Sequence, residues 1–130
     1  MMDGTLTLTP TDGNESRRPG DIIELVGEWS FDQAPESLEA RLFWFTRGKG
    51  TQDVGIVETQ PVGLLQMSGR ERFRFKLPEA PYSFSGRLIS IIWAVELVAN
   101  NDRSARWEFN LAPDEGGEIL LRPMNAARAR

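Results

Sequence analysis

Residues 69–99, GRERFRFKLPEAPYSFSGRLISIIWAVELVA, decide the fold of this chain. The run 70–77 alternates charged with apolar side chains, the period-two pattern of a strand that has one buried face. Pro78 and Pro81 then interrupt this pattern, because proline fixes φ and donates no amide hydrogen. The chain restarts at 87–99 as its most apolar run, which predicts a strand covered on both faces. Two long strands joined by a proline-containing connection predict an antiparallel β-sandwich.

Working outward from this stretch, the rest of the chain carries further strand signals separated by turn-forming residues. Alternating or apolar runs predict strands at 5–9, 22–31, 38–47, 53–59, 105–111 and 118–122. Loops are predicted at 10–20 and 61–68, and a hairpin tip at 48–51. The predicted fold class is therefore all-β, an immunoglobulin-like antiparallel sandwich of about seven or more strands.

The predicted core contains three of the four tryptophans, because Trp29, Trp93 and Trp107 fall on the inward parity of their strands. Gly27 interrupts the second strand and predicts either a bulge or a close approach by another part of the chain. A chain of 130 residues fits one domain. We expect that domain to span 1–130, with a core over about 5–122 and a flexible tail over 123–130.

The composition excludes several function classes. The chain has no cysteine and no histidine, which removes thiol nucleophiles, disulfides and the commonest general base and metal ligand. A net charge of −4 disfavours nucleic-acid binding, which depends on neutralising phosphates. No apolar run reaches the ~18 residues of a membrane-spanning helix, so no membrane insertion is expected. The first ten residues lack the pattern of a secretory signal, and a cytoplasmic location is predicted.

Four segments, taken in order, resemble the N-terminal-type β-sandwich domain of the arrestin family. They are Pro19-Gly20-Asp21, Leu38-Glu39-Ala40-Arg41-Leu42, Arg72-Phe73-Arg74-Phe75-Lys76-Leu77-Pro78 and Pro81-Tyr82-Ser83-Phe84-Ser85-Gly86. The resemblance implies an arrestin-like sandwich, here a single-domain relative of the bacterial sporulation-control type, and a role in binding protein. Arrestin-family proteins usually carry two such sandwiches, whereas this chain has room for one. Roles that use both domains therefore do not carry over.

The first candidate binding site is a basic stripe, defined as Arg70, Arg72, Arg74 and Lys76. Residues two apart on one strand face lie roughly 6.6–6.8 Å apart, so the four cations would form a row suited to phosphate or carboxylate groups. The alternative interpretation is an ordinary solvated face, paired across strands with Glu24, Glu28, Glu39 or Glu96.

The second candidate site is an apolar patch at Phe43 and Phe45, which fall on the polar side of their strand. If both rings are exposed, the pair would mark a surface that binds a partner. The alternative is that the loop 61–68 covers both rings, as loops often cover satellite clusters.

No catalytic or metal site is predicted. The run from Asp12 begins like a calcium loop, but Ser16 and Arg17 occupy the next ligand and glycine positions. Asp114, Glu115 and Glu118 fit a solvated acidic turn.

These observations favour a non-catalytic protein-interaction or adaptor module that needs no cofactor and binds a protein partner. Self-association through an edge strand, giving a homo-oligomer, is part of this hypothesis. The alternative is a carbohydrate- or small-ligand-binding sandwich that uses Trp44 with Phe43 and Phe45 as a platform. A carboxylate-dependent enzyme is a third hypothesis, which residue types alone leave open.

Overall fold

The computed structural model describes residues 3–48, 50, 52–86, 88–113 and the backbone of 119–120. The described residues form strands and no helix. In chain order the strands are β1 (Gly4–Pro10), β2 (Ser16–Arg17), β3 (Ile22–Phe31), β4 (Leu38–Gly48), β5 (Val54–Pro61), β6 (Ser68–Lys76), β7 (Phe84–Ser85), β8 (Ile89–Ala99), β9 (Arg103–Leu111) and β10 (Ile119–Leu120).

The strands form two sheets, as the sequence predicts. The smaller sheet has the order β1-β3-β6 and is antiparallel throughout. In the larger sheet β5, β4 and β8 follow one another, and β7 and β9 pair with different parts of β8. Two short pairings are parallel, β2 with β9 and β10 with β7. The predicted all-β sandwich is confirmed.

The core lies between the inward faces of β3, β4, β6, β8 and β9. On β3 alternate residues are buried, which confirms the inward parity predicted for this strand. On β8 the inward Trp93, Val95 and Leu97 are fully buried, and the outward Ala94 and Val98 are also buried. The prediction that this apolar strand is covered on both faces is therefore confirmed over its second half.

Two of the three predicted core tryptophans are buried and hydrogen-bonded. The Trp93 indole N–H donates to the Pro81 carbonyl at 2.7 Å, and the Trp29 indole N–H donates to the Gln66 carbonyl at 3.0 Å. Trp107 has the predicted parity but is only partly buried, because β9 lies at a side of the sheet. Its ring stacks on Phe109 with centroids 5.1 Å apart.

Gly27 marks a close approach rather than a bulge. Its pairing with β1 and β6 is continuous, and a Cβ there would lie 2.7 Å from Leu97 Cδ2 of the opposite sheet. The bulge of this sandwich lies elsewhere, between β4 and β5 at Leu42/Phe43. Glycine at position 27 thus lets the two sheets pack closely against each other.

The prediction that 10–20 is loop throughout is wrong, because this segment contains a strand. Ser16 and Arg17 form β2 and pair in parallel with the end of β9. Arg17 is buried, and its guanidinium bonds the Asp12 carboxylate and the Asn14 carbonyl. A buried charge needs such partners. Two residues are too few to show a strand pattern in the sequence.

Other predicted boundaries shift slightly. The loop predicted at 61–68 is shorter, 62–67, because Pro61 still pairs with β4 and Ser68 with β3. The described part of the chain contains no helix that could cross a membrane. Lys49, Thr51, the acidic residues Asp114, Glu115 and Glu118, and the predicted tail 123–130 lie outside the described residues.

Candidate interaction surface at the open side of the sandwich

The basic stripe lies on the outward face of β6, where all four side chains are exposed. Two of its members are in ion pairs with β3. Arg70 lies 3.4 Å from the Glu28 carboxylate, and Arg72 lies 3.8 Å from the Glu24 carboxylate. For these two arginines the geometry matches the alternative interpretation, a solvated face with cross-strand pairing.

Arg74 and Lys76, at the other end of the stripe, differ from the first pair. Within the described residues neither side chain forms an ion pair. Arg74 lies opposite Glu24 in the register, but that carboxylate faces Arg72 instead. The positive charge available to a ligand is therefore concentrated at the β6 C-terminal end.

The aromatic pair on β4 lies on the outward face of the larger sheet. Phe43 is 6% exposed and Phe45 is partly exposed, with ring centroids 5.8 Å apart. The Arg106 guanidinium lies over both rings, 5.3 Å from Phe43 and 5.0 Å from Phe45. Arg47 lies 5.4 Å over Phe45. Arginine planes stacked on aromatic faces are favourable contacts that also shield the rings from water.

The expectation that the loop 61–68 covers Phe43 and Phe45 is therefore wrong. The loop 62–67 packs at a different place, where Val62 joins the core and Gln66 accepts the Trp29 indole N–H. Two arginines cover the pair instead, held by Glu96 at 3.2 Å from Arg106 and by Glu108 at 3.5 Å from Arg47. The cross-strand register that brings Arg106 here is not visible in the sequence.

The apolar surface continues from the aromatic pair toward the edge of the sheet. In the register Phe45 lies between Ile92 of β8 and Val54 of β5, and Phe43 lies opposite Ile56. Val54 is 61% exposed, Ile56 58% and Val57 43%. We define the β5 patch as Phe43, Phe45, Val54, Ile56, Val57 and Ile92.

Sequence reasoning missed the exposed half of this patch. The run 53–59 is weakly patterned, because the bulge at Leu42/Phe43 inserts Val57 as an extra residue and breaks the alternation. The available signal was the run Val54-Gly55-Ile56-Val57, which has three aliphatic residues in four on the strand predicted to follow the hairpin tip.

β5 is an open edge of the larger sheet. Among the described strands it pairs only with β4, so its other side presents unpaired backbone groups. Natural edge strands are usually blocked by charges, especially lysine. Over Val54–Pro61 the sole charged residue is Glu58, whereas the neighbouring edge strand β6 carries five.

The two open edges adjoin each other. The Gln60 side-chain amide on β5 donates to the Arg74 backbone carbonyl on β6 at 2.7 Å and to the Glu58 carboxylate at 2.8 Å. This contact brings the unpaired end of the basic stripe to the same side of the sandwich as β5. The stripe side chains project from the outer face of the smaller sheet and the β5 patch lies on the outer face of the larger sheet, so the two candidate sites stay on opposite faces.

The aromatic platform required by the carbohydrate hypothesis is not assembled. Trp44 points to the opposite face from Phe43 and Phe45, where it packs against the core and over Gly55. Successive side chains of a strand point to opposite faces, so Trp44 cannot share a face with Phe43 and Phe45. A separate cavity of about 330 Å³ opens between β7 and β9, lined by Arg47, Ser85, Ser90, Glu108 and Asn110 among others. Its lining mixes both charges and holds no exposed aromatic platform.

No group of three or more acidic side chains that could hold a metal ion occurs in the part of the chain that the structure describes.

Comparisons with known proteins show similarity of structure alone. No family model matches the chain, and no curated protein does. Among solved structures, the sporulation control protein Spo0M from Bacillus subtilis superposes with a TM-score of 0.52 at 12% identity over 85% of this chain. The chain has the β-sandwich fold of Spo0M. It spans 48% of the Spo0M chain, about half.

A CARDB domain from Pyrococcus furiosus, solved in complex with di-metal ions, gives a TM-score of 0.48 at 10% identity, covering 85% of this chain and 89% of its own. The alkylpurine DNA glycosylase AlkC from Pseudomonas fluorescens gives 0.44 at 16% identity, covering 85% of this chain and 30% of its own.

Proposed function

We propose that this chain is a non-catalytic, arrestin-like interaction module that binds a protein partner through β5 and the β5 patch. The observation that carries the proposal is an edge strand that no described strand pairs on its outer side, with exposed aliphatic side chains continuous with an aromatic pair on the same sheet face. An edge of this kind is a template for pairing with another chain.

The low charge of the β5 edge, on which Glu58 is the sole charged residue, supports binding rather than simple solvation. An exposed, apolar edge promotes aggregation unless it is blocked or used. On β6 the same side of the molecule is blocked by charges, and on β5 it is not. β5 lacks the charges that block β6, as expected of an edge strand that pairs with a partner.

The non-catalytic part of the proposal rests on side-chain chemistry. The chain has neither histidine nor cysteine, so proton transfer or nucleophilic attack would fall to carboxylates, lysines or hydroxyls. The carboxylates that flank the aromatic pair, Glu96 and Glu108, are both engaged by arginines. Self-association is one form that partner binding through β5 can take.

Site-specific photo-crosslinking tests this function. Benzoylphenylalanine at position 56, on the β5 edge, should give a discrete crosslinked species in the native extract, whether with another protein or with a second copy. The same residue at position 88, where Leu88 is 66% exposed but lies outside β5, is the matched control. Equal crosslinking at both positions, or none at either, would contradict the proposal.

A further inference from the structure

We propose that the partner of β5 is a second copy of this chain. Two β5 strands would pair as antiparallel neighbours about a two-fold axis at Gly55, so that Val54 of each copy lies opposite Ile56 of the other. The two larger sheets would then join into one continuous sheet. This inference rests on the function proposed above, and it names both the partner and the register in which that partner binds.

The backbone of β5 determines which of its residues can pair with another strand. The Thr46 amide donates to the Asp53 carbonyl at 3.0 Å, so these two residues form a hydrogen-bonded pair between β4 and β5. Such pairs alternate along an antiparallel ladder with pairs whose backbone groups point away from each other. The amides and carbonyls of Val54 and Ile56 therefore point to the open side of β5, where a new strand would add.

The open side of β5 offers only a short segment for regular pairing. The bulge at Val57 directly follows Ile56 and interrupts the ladder. Beyond the bulge the Val62 amide donates to the Leu38 carbonyl, so by the same alternation Pro61 faces the open side, where it has no amide hydrogen to donate. A long peptide would therefore gain few hydrogen bonds beyond Ile56, whereas a second copy brings an equally short segment.

The segment Val54-Gly55-Ile56 is self-complementary about its central glycine. Residues that lie opposite each other in an antiparallel hydrogen-bonded pair need backbone groups that face each other and side chains on the same face. Val54 and Ile56 meet both conditions, because both lie on the outer face with Phe43 and Phe45. Each Val54–Ile56 pair between the copies can then exchange both of its N–H···O bonds, and the two Gly55 residues meet at the axis.

Other two-fold registers match the side chains less well. A shift of the axis by half a residue would set outward side chains opposite inward ones. Pairing Val54 with Val54 would place Ile56 opposite Gln52, and pairing Ile56 with Ile56 would place Val54 opposite Glu58. The axis at Gly55 is therefore the register that sets aliphatic side chains opposite aliphatic side chains.

This register extends the apolar rows of the outer face across the axis. In each row, Phe45 and Val54 of one copy would be followed by Ile56 and Phe43 of the other. Val54 and Ile56 are the two most exposed apolar side chains of β5, and pairing would cover both. Cross-strand contacts between aliphatic and aromatic side chains stabilise antiparallel pairs.

The charged groups near β5 lie away from the axis. Glu58 is the sole charged residue of the strand, and at about 3.3 Å per residue the two copies of Glu58 would be about 20 Å apart. This separation exceeds the ~8–10 Å over which exposed charges interact in salt. Arg74 meets β5 at Gln60, farther still from Gly55, so the two basic stripes would lie at opposite ends of the joined strands.

Concentration dependence of the molecular mass tests the dimer. The interface is short, so we expect dilute solutions to contain the free protein, a monomer with an open β5 edge, and concentrated solutions to contain the dimer. Light scattering over about a hundredfold range of concentration should show the mass rising from one copy toward two. The I56K variant should stay monomeric throughout, because lysine blocks an edge strand. L88K makes the same change at an exposed site outside β5 and should dimerise like the wild type.

Disulfide formation tests the register. The chain has no cysteine, so introduced thiols are the only ones present. Residues in a hydrogen-bonded pair have Cα atoms about 5.5 Å apart, within reach of a disulfide, whereas diagonal neighbours at about 7–8 Å are not. On mild oxidation, a mixture of V54C and I56C chains that differ in an affinity tag should give covalent dimers of one chain of each kind. Either variant alone should give at least about fivefold less covalent dimer.

Three results would overturn this inference. They are a mass of one copy at every concentration, dimerisation of I56K equal to that of L88K, and covalent dimers as abundant in the single-variant samples as in the mixture. A constant monomer that still crosslinks to another protein from position 56 would remove the second copy and leave partner binding through β5 intact. Absence of the position-56 crosslink would remove both proposals.

Discussion

At the scale of single residues, glycines on edge strands lie beneath aromatic rings of the neighbouring strand. Gly55 on β5 pairs with Trp44, and Gly69 on β6 pairs with Trp29. A Cβ at position 55 would lie 2.2 Å from the Trp44 ring, and one at position 69 would lie 2.5 Å from the Trp29 ring. An aromatic ring over an edge glycine supplies the packing that glycine lacks.

The sequence could not predict these contacts. Alternation places Trp29 correctly on an inward face, whereas Trp44 is not counted among the inward tryptophans, and which glycine lies beside each ring depends on the register between strands. That register results from loop lengths and from the β4–β5 bulge, and neither can be read from a single strand.

We predict that Gly55→Ala and Gly69→Ala each lower the free energy of unfolding by about 1–3 kcal/mol, because the indole must move to admit the methyl group. Chemical denaturation measures this change. Gly63→Ala is the control, since a Cβ there meets nothing within 4 Å. A loss as large in the control as in the two edge variants would show that ring contact is not the cause.

We predict that Trp93→Ala costs about 3–5 kcal/mol, because Trp93 is fully buried and its indole bonds the Pro81 carbonyl. Trp107→Ala should cost less, because Trp107 is only partly buried. Thermal unfolding of the two variants gives the comparison. An unchanged melting temperature for Trp93→Ala would contradict the core described above.

At the scale of elements, long strands were predictable and short ones were not. β3 was predicted to the residue, since alternation over Ile22–Phe31 is regular. β2 and β7 have two residues each and carry no pattern. β2 is held by the ion pair between the Asp12 carboxylate and the buried Arg17 guanidinium. In the sequence this segment shows only an incomplete calcium-loop pattern that begins at Asp12.

The contact of Asp12 with Asn14 and Arg17 makes stability depend on pH. The Asn14 amide donates to the Asp12 carboxylate at 3.0 Å, and this bond, followed by the Arg17 guanidinium, holds the pKa of Asp12 below its ordinary value. Because the folded-state pKa is the lower one, the stabilisation is present above the unfolded-state pKa. It is lost as the pH falls through the folded-state value, below about pH 4.

We predict that Asp12→Asn lowers the unfolding free energy at neutral pH, and that its difference from the wild type shrinks as the pH falls below about 4. Urea unfolding at several pH values measures the difference. Glu36→Gln, at an exposed carboxylate outside the segment 12–17, is the control and should show no such convergence. A wild-type advantage that persists unchanged at low pH would contradict the role given to the Asp12 carboxylate.

We predict that reversing two stripe residues, Arg72→Glu with Arg74→Glu, abolishes binding of an anionic partner but changes the free energy of unfolding by no more than about 1 kcal/mol. The reason is exposure, because the Arg72–Glu24 pair joins side chains that are 69% and 30% exposed, and such pairs contribute little. Differential scanning calorimetry provides the check. Collapse of the melting temperature would mean that the stripe is structural.

At the scale of the whole molecule, the sequence predicted the two layers of the sandwich and the burial of Trp29 and Trp93, because these follow from hydrophobic periodicity. It did not predict which side of the sandwich is open. That property arises from the positions of β5 and β6 as neighbouring edges, which only the topology and the Gln60–Arg74 contact reveal.

Residue-resolved hydrogen exchange of the free protein tests the open β5 edge most directly. Central strands β3, β4 and β8 should exchange slowly, because each pairs on both sides. In β5 the amides bonded to β4 should be protected and those on the open side should exchange about as fast as loop amides. Uniform slow exchange along β5 would show that its edge is already covered, and would contradict the account of β5 as a free binding strand.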